Sequence, residues 1–129
     1  MKNYCLHLVF VFLMFTFSCR RDNEKIEWRF RELQKRINTK ETKLLLINLD
    51  GCPSCYVVFQ DFAKHFLDSG VVVLVSKNSK KANAFLDLSH PNVFYDRKNI
   101  SSELKLANDL PTEYQINPDN SIDSLIVGF

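Results

Sequence analysis

Residues 43–49, Lys-Leu-Leu-Leu-Ile-Asn-Leu, carry apolar side chains at both parities of a strand. Successive strand residues point to opposite faces of a sheet, so such a run reads as a strand buried on both sides. Asp50-Gly51 follows as turn chemistry, and Cys52-Pro53-Ser54-Cys55 then heads an amphipathic stretch. Cys55, Val58, Phe59, Phe62, Phe66 and Leu67 recur at spacings of three and four, which predicts one apolar helical face, and Gly70 supplies a stop. Pro53 fits the first turn of that helix, where a missing N–H costs nothing. A fully buried strand feeding a helix argues for an α/β architecture, with two cysteines at the junction.

The rest of the chain continues in the same alternation. Val71 to Val75 is a second buried strand. Ser79 opens a short helix through Leu88, Asn92 to Tyr95 reads as a brief strand, and Ser101 or Ser102 opens another helix ending near Asn108. Leu110-Pro111-Thr112 precedes a strand from Glu113 to Ile116. Asn117-Pro118-Asp119-Asn120 is turn chemistry, and Ile122 to Val127 returns as the partner strand. The expected order is β-α-β, an extra α-β unit, then α-β-β.

The N-terminal third has a different character. Lys2 gives a positive start, Leu6 to Phe17 is an apolar run broken only by His7 and Thr16, and Ser18-Cys19 precedes an abruptly charged stretch. This predicts an export signal over residues 1–18. Twelve residues of helix rise roughly 18 Å, short of the roughly 30 Å hydrocarbon core, which disfavours a permanent membrane span. Thr16-Phe17-Ser18-Cys19 resembles a bacterial lipobox, in which a small residue precedes a cysteine that becomes lipidated and N-terminal. Cys19 is the expected anchor, although Thr16 and Phe17 stand where the pattern prefers an aliphatic and a small residue. Residues 19–42 are then a basic linker and amphipathic helix, and residues 43–129 form the domain. Arg20 to Lys43 holds nine basic and five acidic residues, so the basic excess lies beside the predicted membrane surface. Within it, Ile26, Phe30, Leu33 and Ile37 form one stripe that should pack on the domain, with Trp28 on the opposite side. The whole chain carries a formal charge of only +2, which disfavours a nucleic-acid partner.

If Cys5 leaves with the signal and Cys19 takes lipid, Cys52 and Cys55 are the cysteines of the mature domain. They make half of a zinc site, and no second C-x-x-C or H-x-x-x-H supplies the other half. His65 lies ten residues along the same helix and cannot join Cys55, which leaves His90 as the remaining candidate ligand. Redox chemistry is favoured and no metal or cofactor is expected. At a helix N-terminus, unpaired N–H groups and the dipole favour a thiolate, which assigns Cys52 as nucleophile. Cys55, one turn further in, is the resolving thiol. The usual nucleotide, hydrolase and zincin motifs are absent from the sequence.

Strand, Cys-Pro-Ser-Cys and helix together resemble the thioredoxin superfamily, over about Lys43 to the C-terminus. The resemblance implies a thioredoxin-like fold, a central mixed sheet flanked by helices. Ser79 to Tyr95 resembles the α-β insertion of TlpA-like and peroxiredoxin-like branches, which include membrane-tethered disulfide reductases of the bacterial envelope. Pro111 matches the family's cis-proline position, which stands beside the cysteine pair, excludes metal ions and lets the preceding backbone pair with a substrate strand. The chain departs from the pattern in three ways. Gly51 replaces an aromatic residue. Leu44 to Ile47 lacks the buried acid that accepts a proton beneath the resolving cysteine, leaving Asp50 as either a substitute or a turn residue. No final helix is evident before Phe129, and residues 24–38 offer a cover for the sheet face this leaves.

The resemblance implies an envelope oxidoreductase, lipid-anchored and facing the periplasm, that exchanges disulfides with protein thiols. Cys52, Cys55 and Pro111 form its site, supported by Asp50, Gly51, Pro53 and Ser54. The alternative is a non-catalytic binding or structural lipoprotein of the same fold with a closed disulfide.

Overall fold

The structure, a computed structural model, describes residues 25–51 and 56–128. The export signal, Cys19, and the Cys52-Pro53-Ser54-Cys55 segment lie outside the described residues. Helix α1 occupies residues 25–36. Strand β1 (Lys43–Asn48), helix α2 (Tyr56–Phe66), strand β2 (Val71–Val75) and helix α3 (Ser79–Phe85) follow. Strand β3 (Val93–Asp96), helix α4 (Ile100–Glu103), and strands β4 (Thr112–Ile116) and β5 (Ile122–Ile126) complete the described elements.

The strands form one five-stranded mixed sheet in the order β3-β2-β1-β4-β5. β1, β2 and β3 are mutually parallel, whereas β4 runs antiparallel to β1 and β5 antiparallel to β4. Central placement of β1 is what its wholly apolar run requires. Leu44 and Leu46 enter one core and Leu45 and Ile47 the other, and all four are nearly inaccessible to solvent. β2 alternates likewise, with Val71, Val73 and Val75 on one side and Val72 and Leu74 on the other.

Helices cover both faces. α2 and α3 bury Phe59, Ala63, Phe66, Ala82 and Phe85 against one face. On the other, α1 and the turn that follows it bury Phe30, Leu33 and Ile37 beside Leu104, Leu106 and Tyr114, and Phe30 meets Tyr114 at a ring-centroid distance of 6.3 Å. The stripe expected of residues 24–38 therefore packs on the domain, Ile26 is half-buried, and Trp28 is 63% exposed. No helix follows β5 among the described residues, and Leu125, which shares the α2 face with Leu45 and Glu113, is 64% exposed.

Several local expectations change. Val58 and Phe62 are 50% and 37% exposed rather than core. The sheet contacts only the narrower face at Phe59, Ala63 and Phe66, so the apolar surface of α2 is wider than its buried one. α3 is capped by Asn78, not Ser79: the Asn78 side chain accepts from the N–H groups of Lys80 and Lys81. It ends at Phe85 because Leu86 is extended, short of the expected Leu88. α4 is a single turn opened by buried Asp96, whose carboxylate accepts from the N–H groups of Ile100 and Ser101. Left-handed Lys105 (φ 55°) closes it well before Asn108.

Candidate functional site

β1 and β2 end at the same end of the sheet, and the turn that leaves β1 is held by groups from three parts of the chain. Asn48 Oδ1 accepts from the Asp50 N–H at 3.1 Å, which shapes residues 48–50. The Asp50 carboxylate then crosses to the loop after β2. It accepts from the Ser76 hydroxyl at 3.0 Å and from the Lys77 N–H at 3.1 Å. Lys81, from α3, reaches the same turn: its ammonium lies 3.6 Å from Asp50 Oδ1 and donates to the Leu49 carbonyl. Lys81 is thus tethered to this turn, whereas the neighbouring Lys77 and Lys80 are exposed.

Partial burial pushes the Asp50 carboxyl up. The Lys77 N–H, the Ser76 hydroxyl and the Lys81 ammonium outweigh that and hold it below its ordinary value. A carboxylate so well supplied with donors is a weak proton acceptor, and its bonds are those of a turn anchor.

Gly51 and Tyr56 are the described residues bordering the cysteine segment. A Cβ on Gly51 would stand 3.3 Å from Asp109 Cα and Oδ1 and 3.2 Å from Asn48 Nδ2. Glycine here answers a close approach between the turn after β1 and the segment entering β4, which gives a structural reason for the missing aromatic residue. At the other border, the Tyr56 hydroxyl donates to the Lys81 carbonyl at 2.9 Å and its ring packs edge-on against Phe85 at 4.9 Å. Burial raises the Tyr56 hydroxyl above its ordinary value.

Pro111 comes to this place from 60 residues further along the chain than Gly51. It lines a crevice of about 10 Å³ together with Asn48, Leu49, Tyr56, Phe59 and Asp109. That volume is at the lower limit for a single water. Its carbonyl accepts from the Val127 N–H at 2.8 Å, so the residue after β5 pins the proline in position. The resemblance implies a cis bond before Pro111, but no cis peptide bond occurs among the described residues, so Leu110–Pro111 is trans. Trans is the lower-energy isomer of an X–Pro bond by about 0.5–1 kcal/mol.

Of the residues singled out in the sequence, the structure places Pro111 beside Asn48 and Leu49, which lead into the turn of Asp50 and Gly51. Cys52, Pro53, Ser54 and Cys55 lie between Gly51 and Tyr56 in sequence and outside the described residues. Lys81, Ser76, Tyr56 and Asp109 were not assigned to the site from sequence. For Lys81 a signal existed: residues 78, 81, 82 and 85 share one helical face, and Ala82 and Phe85 are its buried members. No group of three or more metal-ligating side chains occurs among the described residues. His90 lines a separate open groove of about 320 Å³ with Gln60, Lys64 and Asp87, which shares only Phe85 with the crevice.

No protein-family model matches the chain, and no curated protein matches it.

Proposed function

We propose that this protein is a thioredoxin-fold thiol–disulfide exchanger. One observation carries the reading: Pro111 and Asp109 converge with Asn48, Leu49 and Tyr56 on one crevice, with Gly51 against Asp109, so a proline distant in sequence meets the described residues that flank the cysteine segment in the chain. The mixed sheet supports it, since the cysteine segment follows the central strand and lies between β1 and α2 in the chain.

In the exchange, the Cys52 thiolate attacks one sulfur of a substrate disulfide. A mixed disulfide forms and one substrate thiolate leaves. Cys55, having lost its proton to solvent, attacks the Cys52 sulfur and expels the second substrate thiolate. The substrate gains two electrons and the pair ends as a disulfide; the reverse sequence oxidises a dithiol. Direction follows from the reduction potential of the pair relative to its surroundings.

The proposal extends to location. A positive start, a twelve-residue apolar run and Ser18-Cys19 support export and lipidation at Cys19, placing the domain at the envelope and its partners among envelope protein thiols and disulfides. Among the described residues no helix is long and apolar enough to cross a membrane.

Replacing Cys55 with serine tests the exchange, because the mixed disulfide then has no internal thiol to release it. The Cys55→Ser protein should retain partners through Cys52, and Cys52→Ser should retain far fewer. A second reading, a closed structural disulfide in a binding module, is favoured by the apolar strand before the pair, where Leu44 to Ile47 offers no proton acceptor. It would be established by a Cys55→Ser protein that captures nothing while the wild-type disulfide resists dithiothreitol until the protein unfolds.

A further inference from the structure

We propose that the outer face of α1, with Trp28 at its centre and Lys25, Arg31 and Lys35 around it, docks on an anionic lipid surface. The inference rests on the envelope-anchoring reading above and names the surface that the domain turns toward the membrane.

At about 100° per residue, Lys25, Arg31, Glu32 and Lys35 fall within about 60° of Trp28 around the helix, and Ile26, Phe30 and Leu33 fall on the opposite side. The fold holds α1 in that orientation. Phe30 and Leu33 are buried against the sheet, Trp28 is 63% exposed, and Lys25, Arg31 and Lys35 are exposed with it. A single exposed tryptophan carries little meaning by itself. This one stands in a patch of one charge sign. Both acids of α1 are taken up in ion pairs, Glu27 with Arg31 and Glu32 with Arg36, whereas Lys25 and Lys35 make no ion pair among the described residues. Residues 25–36 carry five basic and two acidic side chains, and residues 44–129 carry seven basic and ten acidic. An anionic surface therefore attracts α1 and repels the remainder, which orients the domain as well as binding it.

Chain length brings such a surface within reach. Lys25 is six residues beyond Cys19, so at most about 22 Å of chain separates it from the proposed lipid anchor. A face tethered so closely meets the layer beside the bilayer, where anionic headgroups attract Lys and Arg. An indole, apolar but for one N–H donor, settles at the level of those headgroups. An acidic protein would answer the lysines equally; the short tether favours lipid, because it keeps the bilayer next to this face. Docking through α1 also sets the aspect of the domain. The sheet lies between α1 and the layer of α2 and α3, so those two helices face away from the bilayer.

The test uses the protein as its native cell processes it, added in detergent to vesicles of phosphatidylcholine alone or mixed with phosphatidylglycerol and then dialysed. Trp28 is the sole tryptophan of the chain, so intrinsic fluorescence reports on this face directly. On the phosphatidylglycerol vesicles its emission should move to the blue, brominated lipid should quench it, and aqueous acrylamide should quench it less. The shift should be lost in about 1 M salt and in the Lys25→Glu/Lys35→Glu variant, and kept in Lys25→Arg/Lys35→Arg. Both lysines are exposed, so neither pair of substitutions touches the core. Flotation separates this inference from the anchor. Protein that floats with both kinds of vesicle while Trp28 stays open to acrylamide on both overturns the inference and leaves the anchor in place, the outcome expected if the face serves an acidic protein instead. A blue shift of equal size on both vesicles, unchanged by the lysine substitutions, also overturns it. Protein that floats only with phosphatidylglycerol vesicles, with Trp28 shifted, upholds the inference and removes the anchor. Protein that floats with neither removes both.

Discussion

Gly70 sits where the end of the α2 turn passes β1, and a Cβ there would stand 2.6 Å from the Lys43 carbonyl oxygen and 2.7 Å from Phe66 Cε1. Its φ is not positive, so the glycine is required by close approach and not by backbone conformation. Because one obstacle is backbone of the central strand, Gly70→Ala should cost about 1–3 kcal/mol, read as a lower urea midpoint at unchanged slope. Read from sequence, the same glycine is a helix stop. Its packing role depends on which strand the helix returns beside, and no local pattern carries that. Asp50 gives a second residue-scale expectation. Its folded pKa lies below the ordinary 3.8, so its contribution to stability is full above that value and is lost as pH falls through the lower folded value. Asp50→Asn should remove this part of the acid dependence and leave the curve between pH 6 and 8 parallel to wild type, as checked by urea titrations from pH 2 to 8.

At the scale of elements, α1 matters most to the integrity of one face. Phe30 and Leu33 are 0% exposed, and they meet strand residues of both β1 and β2 in one core. Its ion pairs, Arg31–Glu27 and Arg36–Glu32 within the helix and Arg36–Glu103 to α4, are solvent-exposed and contribute little by comparison. Leu33→Ala should therefore destabilise the domain by about 2–5 kcal/mol, while Trp28→Ala, on the exposed side, should stay within about 0.5 kcal/mol. Chemical denaturation of the two variants side by side checks both values. The stripe in α1 was legible because four apolar residues at helical spacing in a charged segment leave one possible inner face. α2 was less legible: with Val58, Phe59, Phe62 and Phe66 all apolar, periodicity could not separate the residues that meet the sheet from those left partly exposed.

The whole chain combines two parts read from different signals, an apolar N-terminal run ending at Ser18-Cys19 and a mixed-sheet region whose sequence carries Cys52 and Cys55. The proposed lipid anchor belongs to this scale, because it would set where the proposed exchange site works. Mass spectrometry of the mature protein should find Cys19 at the N-terminus and lipid-modified, and Cys19→Ala should be misprocessed or released from the membrane fraction. An unmodified N-terminus at another residue would replace the lipoprotein reading with plain secretion.

Sequence alone determined the properties that depend on neighbours along the chain. The apolar runs of β1 and β2 demanded burial on both faces, the Asn117–Asn120 turn demanded a hairpin, and the cysteines had to stand between a central strand and a helix. Tertiary structure decided what depends on residues far apart. It set the order β3-β2-β1-β4-β5 and the choice of Asn78 as a cap. It seated Pro111 in the crevice between Asn48 and Tyr56, and folded Lys81 back onto Leu49 and Asp50. The reason is physical: periodicity reports which side of an element avoids water, whereas the partner an ammonium or a carboxylate finds is fixed only when separate elements pack and bring their polar groups within bonding distance.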